Sequence, residues 1–271
     1  MTDRAETGGV LDAILAKTRD RVAAEQARRP FGPSHPAVRQ APPPRPFASS
    51  LAGPGRVNVV AEHKRRSPSR GVIREDLSPA EVARAYEAAG AVAISVLTDE
   101  AFFGGRLAHL EEVRAAVALP VLRKDFVLDP WQVWEARAAG ADAVLLIVAA
   151  LTDADLGGLL AVAREAGMDA LVEVHDRGEL DRALAAGSGL VGVNSRDLRT
   201  LAVSLETAFG LAPAIPDEVV AVAESGIRTG TDVRRLREAG YDAFLVGEHL
   251  MASPDPGEAL RTLIGAAEAA P

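Results

Sequence analysis

From Val57 onward, short apolar runs return along the chain, separated by longer stretches of helical character. Ala93-Ile94-Ser95-Val96-Leu97 and Val144-Leu145-Leu146-Ile147-Val148 are nearly continuous in apolar residues, the pattern of parallel strands covered by helices. Five of the intervening stretches close on Ala-Gly before the next strand, at Ala89-Gly90, Ala139-Gly140, Ala166-Gly167, Ala186-Gly187 and Ala239-Gly240. Glycine supplies the left-handed residue that ends a helix, so every match marks a helix turning into a strand. Two wider gaps each hold a strand entered through proline, at Leu119-Pro120-Val121-Leu122-Arg123 and at Ile215-Pro216 ahead of Val219 to Ala223. About eight βα units result, which predicts an α/β fold, a closed (β/α)8 TIM barrel over residues 55–271. An open doubly wound sheet is the alternative, and it would want a Gly-rich phosphate fingerprint after the first strand that this sequence lacks.

Ahead of the repeat, Val10, Ile14, Leu15 and Val22 fall at helical spacing and predict an amphipathic helix over 10–29, stopped by Pro30. From there to Pro54 the chain is rich in Pro, Arg and Ser, and an extended surface connector without regular structure is expected. Residues 1–54 therefore form an extra N-terminal segment, helix and connector, before the barrel.

With 48% hydrophobic residues among 271, the chain has material for a sizeable core. A formal charge of -8 disfavours a general nucleic-acid binder, while leaving room for a locally positive pocket. The absence of cysteine excludes disulfides, thiol nucleophiles and thiolate metal sites. Asp3, Arg4 and Glu6 open the chain without the apolar core of a signal peptide, so a cytoplasmic protein is expected. The longest strongly apolar run, Ala143 to Leu151, is far shorter than the ~20 residues of a membrane span and reads as a buried strand.

Catalysis in such a barrel takes place at the C-terminal ends of the strands, and charge collects there. Strand one ends in Glu62 and Lys64, which share a face, with His63 turned toward the helix layer. Arg65, Arg66, Ser67 and Ser69 follow in a loop opened by Pro68. This stretch suits a phosphorylated anion held beside an acid/base group, against the alternative of a solvated strand end with an incidental ion pair. Strand three ends in Arg123-Lys124-Asp125-Phe126, strand five in Glu173-Val174-His175 and strand six in Asn194-Ser195-Arg196-Asp197. Strand seven ends in Glu224-Ser225-Gly226 and strand eight in Gly247-Glu248. Gly226 and Gly247 stand where barrels of this kind hold phosphate, or are simple turn glycines. Lys124 reads as a cationic acid, a Schiff-base nucleophile or an ion-pair partner of Asp125. Glu62, Glu173 and Glu224 nearby would keep it protonated, which favours proton donation, with Glu173 as the opposing carboxylate. His35 and His109 read as structural, His175 shares a face with Glu173, and Trp131 and Trp134 read as core packing. No set of converging metal ligands can be assembled from the sequence.

These strand ends resemble the indole-3-glycerol phosphate synthase family. The resemblance rests on Ala61-Glu62-His63-Lys64 with Ser67-Pro68-Ser69, Val96-Leu97-Thr98-Asp99 with Phe102-Phe103-Gly104-Gly105, and Leu122-Arg123-Lys124-Asp125-Phe126. It continues through Leu171-Val172-Glu173-Val174-His175, Gly192-Val193-Asn194-Ser195-Arg196-Asp197-Leu198 and Ala223-Glu224-Ser225-Gly226-Ile227. It implies conversion of 1-(2-carboxyphenylamino)-1-deoxyribulose 5-phosphate to indole-3-glycerol phosphate with loss of CO2 and water, without cofactor or metal. In the implied roles Lys124 is the general acid of ring closure and Glu173 completes the proton transfers of dehydration. Glu62, Lys64 and Asn194 orient the reacting groups, and Arg196 meets the anthranilate carboxylate or a neighbouring anion. Phe102 and Phe126 wall the aromatic ring, with Ser67, Glu224, Ser225, Gly226, Gly247 and Glu248 completing the substrate site toward its phosphate end. The expected partner is a phosphorylated small molecule, with no nucleic acid and no membrane, and the chain is expected as a monomer with a weak dimer as the alternative.

Four positions depart from the family pattern: His63 for an apolar residue, Arg66 for a small one, Arg106 for a serine and His249 for a serine. Arg66, Arg106 and His249 bear on substrate affinity and loop motion. They leave open a duplicate synthase serving a specialised indole pathway, and a barrel that binds a phosphorylated ligand without turnover stays open beside it.

Overall fold

A computed structural model describes residues 9–53, 55–198 and 200–269. Asp3, Arg4 and Glu6, and Pro54 at the end of the connector, lie outside the described residues. Eight parallel strands close into a barrel: β1 (Asn58–His63), β2 (Ala93–Leu97), β3 (Val121–Lys124), β4 (Ala143–Ile147), β5 (Asp169–Val174), β6 (Leu190–Asn194), β7 (Val220–Glu224) and β8 (Ala243–Val246). Each pairs with the next, and β8 returns to β1, so that Val60 lies opposite Leu245 on one side and Ala93 on the other.

Among the described residues three helices precede the barrel: α1 (Val10–Arg28), α2 (Pro36–Gln40) and α3 (Phe47–Leu51). Around and above it run α4 (Pro79–Ala88), α5 (Glu100–Phe103), α6 (Leu107–Ala116), α7 (Pro130–Ala138), α8 (Asp153–Glu165), α9 (Arg177–Ala185), α10 (Glu206–Leu211), α11 (Gly230–Glu238), α12 (Glu248–Met251) and α13 (Pro256–Glu268). Their starts are written locally. Ser78 caps α4 and Asp129 caps α7, each with proline in the first turn and its own backbone N–H donating to the side chain of the third helical residue. No described helix is long and apolar enough to cross a membrane.

Alternation along the strands divides the core in two. Val60, Leu122, Leu145, Leu171 and Leu245 fill the barrel interior, while Val59, Ile94, Val144, Val172 and Val191 face the helices. The Ala-Gly repeat has a further use at the lower rim. Asp142 Oδ2 accepts the Val121 N–H at 2.7 Å and Asp242 Oδ2 accepts that of Ala221 at 2.8 Å, so the acid after Ala-Gly-x ties one strand start to the strand before it.

The connector corrects its expectation. It contains α2 and α3, and Phe47 and Leu51 are fully buried, one helical turn apart, in the interior cluster at the foot of the barrel. Asp142 Oδ1 accepts the Arg45 N–H at 2.6 Å and Asp169 Oδ2 that of Ala48 at 2.8 Å, which fixes this floor to the starts of β4 and β5. Burial of two large apolar side chains outweighs the weak helical tendency of a five-residue segment. Trp131 and Trp134 are buried as expected, Trp131 donating from Nε1 to the Arg29 carbonyl at 2.7 Å.

His63 also behaves as the alternation demands, 1% exposed and turned into the helix layer against His109, ring centroids 5.8 Å apart. Burial, then the His109 and Arg65 charges, press its pKa down to about 4, against an opposing pull from Glu62. A depressed folded-state value means stability that is intact above pH ~6.5 and is lost as pH falls toward the folded value, on the order of 3 kcal/mol in all. Urea titrations at pH 4.5 and 7 are expected to show His63→Leu losing much less stability on acidification than the parent. Equal losses would show that this imidazole does not govern the acid limb.

Candidate active site

The period of two that builds the barrel also builds its mouth. Inward positions two apart put Glu62 and Lys64 beyond Val60, Lys124 beyond Leu122, Glu173 beyond Leu171, Asn194 beyond Gly192 and Glu224 beyond Val222, all at the C-terminal rim. The sequence reading placed these residues in one site, and the structure brings them together around a cavity of about 100 Å³.

Lys124 lines it from β3. Nζ donates to Glu173 Oε2 at 2.7 Å and lies 3.2 Å from Glu224 Oε2. Burial works to lower its pKa, but the Glu173, Glu224 and Glu62 carboxylates outweigh that and hold it above the ordinary lysine value. Lys64 Nζ pairs with Glu62 Oε1 at 2.8 Å, and Ser95 Oγ reaches Glu62 Oε2 at 3.4 Å.

The two acids beside Lys124 are driven apart. Burial pushes both upward. On Glu173 the charges of Lys124 and His175 overcome it and hold the carboxyl well below the usual range. On Glu224 burial prevails over Lys124 with help from the Glu173 and Glu62 charges, and the carboxyl is pushed up. Glu173 Oε1 accepts from Asn194 Nδ2 at 3.0 Å, whereas Glu224 Oε1 is buried with no hydrogen-bond partner among the described residues. Pairs whose environments separate them in this way divide into an ionised base and a protonated acid.

Two glycines make room for these carboxylates. A Cβ on Gly192 would overlap Glu224 Oε1, and one on Gly247 would overlap Glu62 Oε1. Close approach is therefore a requirement at both, beyond the simple turn role weighed for Gly247.

Beside the central cavity opens a larger one of about 610 Å³, lined by Lys64, Arg196, Ser225, Gly226, Gly247 and Glu248. Arg70 and Arg228 add to its wall, giving four cationic side chains against the carboxylates of Glu62 and Glu248. Such a balance suits a dianionic group. Ser225 has φ 64°, an uncommon left-handed conformation for a residue with a side chain, at the bend where β7 meets this cavity. Arg196 Nη1 donates to Ser69 Oγ at 3.3 Å, and Glu248 lies between Arg196 at 3.4 Å and Arg70 at 3.5 Å.

Some expected positions are refined. Phe103 and Phe126, ring centroids 6.3 Å apart, line the central cavity; Phe102 does not, and instead carries Lys17 of α1 over its ring at 5.2 Å. Asp99 caps α5 and Gly104 ends it in the left-handed region, so the two adjacent phenylalanines leave a single turn in different directions. Ser67 faces a groove shared with Val10, Leu11 and Ile14 of α1, and it is Ser69 that also reaches the large cavity. Of the departures, Arg106 pairs with Glu100 at 3.0 Å on the surface, Arg66 lies over Gly104, and His249 lines the large cavity.

Sequence reading missed how α1 is fastened. Arg21 donates to both oxygens of Asp125 at 3.3 Å and Gln26 Nε2 to Asp129 at 2.6 Å, which makes α1 a wall of the mouth. Only the apolar stripe of α1 signalled a packed face. Among the described residues no three of His, Asp or Glu are placed to hold a metal ion.

Fold and mouth together define a (β/α)8-barrel enzyme with acid/base groups at its strand ends. The profile of the family described as indole-3-glycerol phosphate synthase matches residues 11–263, and the chain belongs to that family. It is 51% identical over 259 residues to the indole-3-glycerol phosphate synthase of Aromatoleum aromaticum, covering 94% of this chain and 99% of that protein. It is 49% identical over 257 residues to indole-3-glycerol phosphate synthase 2 of Streptomyces coelicolor, covering 95% of this chain and 99% of that one. Among solved structures, thiamine phosphate pyrophosphorylase from Pyrococcus furiosus is similar at TM-score 0.61 and 18% identity, over 82% of this chain and 98% of that chain, a likeness of fold alone.

Proposed function

We propose that the protein converts 1-(2-carboxyphenylamino)-1-deoxyribulose 5-phosphate to indole-3-glycerol phosphate, as a carboxy-lyase of tryptophan biosynthesis. The observation that carries this reading is the ammonium of Lys124 buried between Glu173 and Glu224, next to a cationic cavity large enough for a sugar phosphate. The aromatic ring lies between Phe103 and Phe126 and the phosphate in the large cavity by Gly226 and Gly247, with Lys64 turned toward it. Arg196 receives the carboxylate, and Glu62 and Asn194 orient the chain between the two ends.

Carbon–carbon bond formation places negative charge on the ketone oxygen, which takes a proton from Lys124. Loss of CO2 restores the aromatic ring. The new hydroxyl then leaves as water on receiving a second proton, while Glu173 removes one from the carbon beside nitrogen. Two protons are delivered and one is recovered, so each turnover consumes one proton from solvent. Glu224, its carboxyl pushed up by burial while it lies 3.2 Å from Lys124, is the less readily ionised of the two acids. Residues 55–271 carry the catalysis and residues 1–54 serve it through the α1 wall and the α3 floor. A cytoplasmic, monomeric protein belongs to the same proposal.

Incubation of the purified protein with this substrate is expected to produce indole fluorescence together with stoichiometric CO2. Tight binding without fluorescence would favour a ligand-binding barrel. A covalent adduct trapped on Lys124 by borohydride would favour imine chemistry.

A further inference from the structure

One charged chain leaves the site through β5 and is not used by the reaction above. His175 follows Glu173 by two residues and points the same way, its Nε2 3.4 Å from Glu173 Oε1. That contact is an ion-pair distance, since Nε2 is buried and makes no hydrogen bond among the described residues. On its other side Nδ1 lies 3.0 Å from Glu179 Oε2, and the same oxygen accepts the His175 backbone N–H at 2.8 Å. Glu179 sits in the first turns of α9, so the helix holds the imidazole from behind while β5 presents it to the site.

We propose that His175, fixed by Glu179, is the positioning residue that selects Glu173 over Glu224 as the ionised base. The inference rests on the reading of the site given above and deepens it. Lys124 touches both acids and by itself does not choose between them. Glu173 faces Lys124 from β3, Asn194 from β6 and His175 from its own strand, whereas Glu224 faces Lys124 and, through it, the carboxylates of Glu173 and Glu62. Among the described residues His175 is thus the charged group that touches Glu173 and not Glu224. Burial works to lower its pKa, and the Glu173 and Glu179 carboxylates raise it to about 10, so it stands beside Glu173 as imidazolium at neutral pH. The half-buried Glu179 supplies the second carboxylate that makes this charge affordable away from bulk water.

The test is the pH dependence of kcat in His175→Asn and Glu179→Gln, beside a titration of the imidazole. Loss of the positive neighbour raises the Glu173 pKa, so the acid limb is expected to move to higher pH by about one unit or more in His175→Asn. Glu179→Gln is expected to move it in the same direction by less, and KM is expected to change by less than about threefold in both. In the unmodified protein, 15N chemical shifts of His175 are expected to report imidazolium through pH 8. An unmoved acid limb in both variants, or a neutral His175 at pH 7, overturns the inference. If the unmodified protein itself shows no turnover, the reaction assigned above fails instead, and the imidazole titration still decides this point.

Discussion

Lys124→Met is expected to lower kcat by roughly 10² to 10⁴-fold while leaving the protein folded, which is the span that general acid catalysis contributes. Two losses coincide in this variant. The proton delivered to the ketone oxygen disappears, and Glu173 and Glu224 lose the cation that both touch at 2.7 and 3.2 Å. Two buried carboxyls without that partner retain a shared proton, so the base is weakened along with the acid. Adding Glu173→Gln to Lys124→Met is therefore expected to cost far less than Glu173→Gln costs alone. Single-turnover fluorescence and circular dichroism on the three variants check this. Activity of Lys124→Met within about tenfold of the parent would remove Lys124 from the proposed acid role.

Asp125→Ala is expected to destabilise the fold by about 3–5 kcal/mol, the cost of breaking a buried charge pair from one side. Asp125 is fully buried and bonds Arg123 at 3.0 Å, the Thr98 hydroxyl at 2.7 Å and the Phe126 N–H at 2.8 Å. Burial pushes its carboxyl up, and Arg123 and Arg21 overcome that to hold it below the ordinary value. Arg123 is itself completely buried and, among the described residues, would keep Glu135, at 2.8 Å, as its charged partner. The same carboxylate anchors Arg21 of α1, so the variant should also loosen the wall of the mouth. Urea unfolding measures the first effect, and protease cleavage within residues 10–28 the second. A loss below about 1 kcal/mol would place the pair among those that contribute little.

Much of the architecture is legible because it repeats. Ala-Gly at helix ends, apolar runs between them and charged residues at their far ends set strand number, direction and inner face without any long-range information. Contacts carried by a single local signal, or by none, are what reading misses. Phe47 and Leu51 form the barrel floor from a segment too short to show helical periodicity. Phe102 and Phe103 are chemically alike, and the caps at Asp99 and Gly104 decide which one meets the cavity. Arg21 and Asp125 are 104 residues apart, and nothing near either one marks the pair. The partnership of His175 with Glu179 was hidden for a different reason: a histidine beside an acid on a shared face has many ordinary explanations until distances assign it one.

A crystal structure of the protein with the unreactive alcohol obtained by reducing the substrate ketone tests the central claim most directly. The account predicts the ring between Phe103 and Phe126, the phosphate in the cavity by Gly226 and Gly247, and Lys124 Nζ about 3 Å from the alcohol oxygen. A ligand bound away from the C-terminal rim, or one whose alcohol oxygen meets no ammonium, would contradict it.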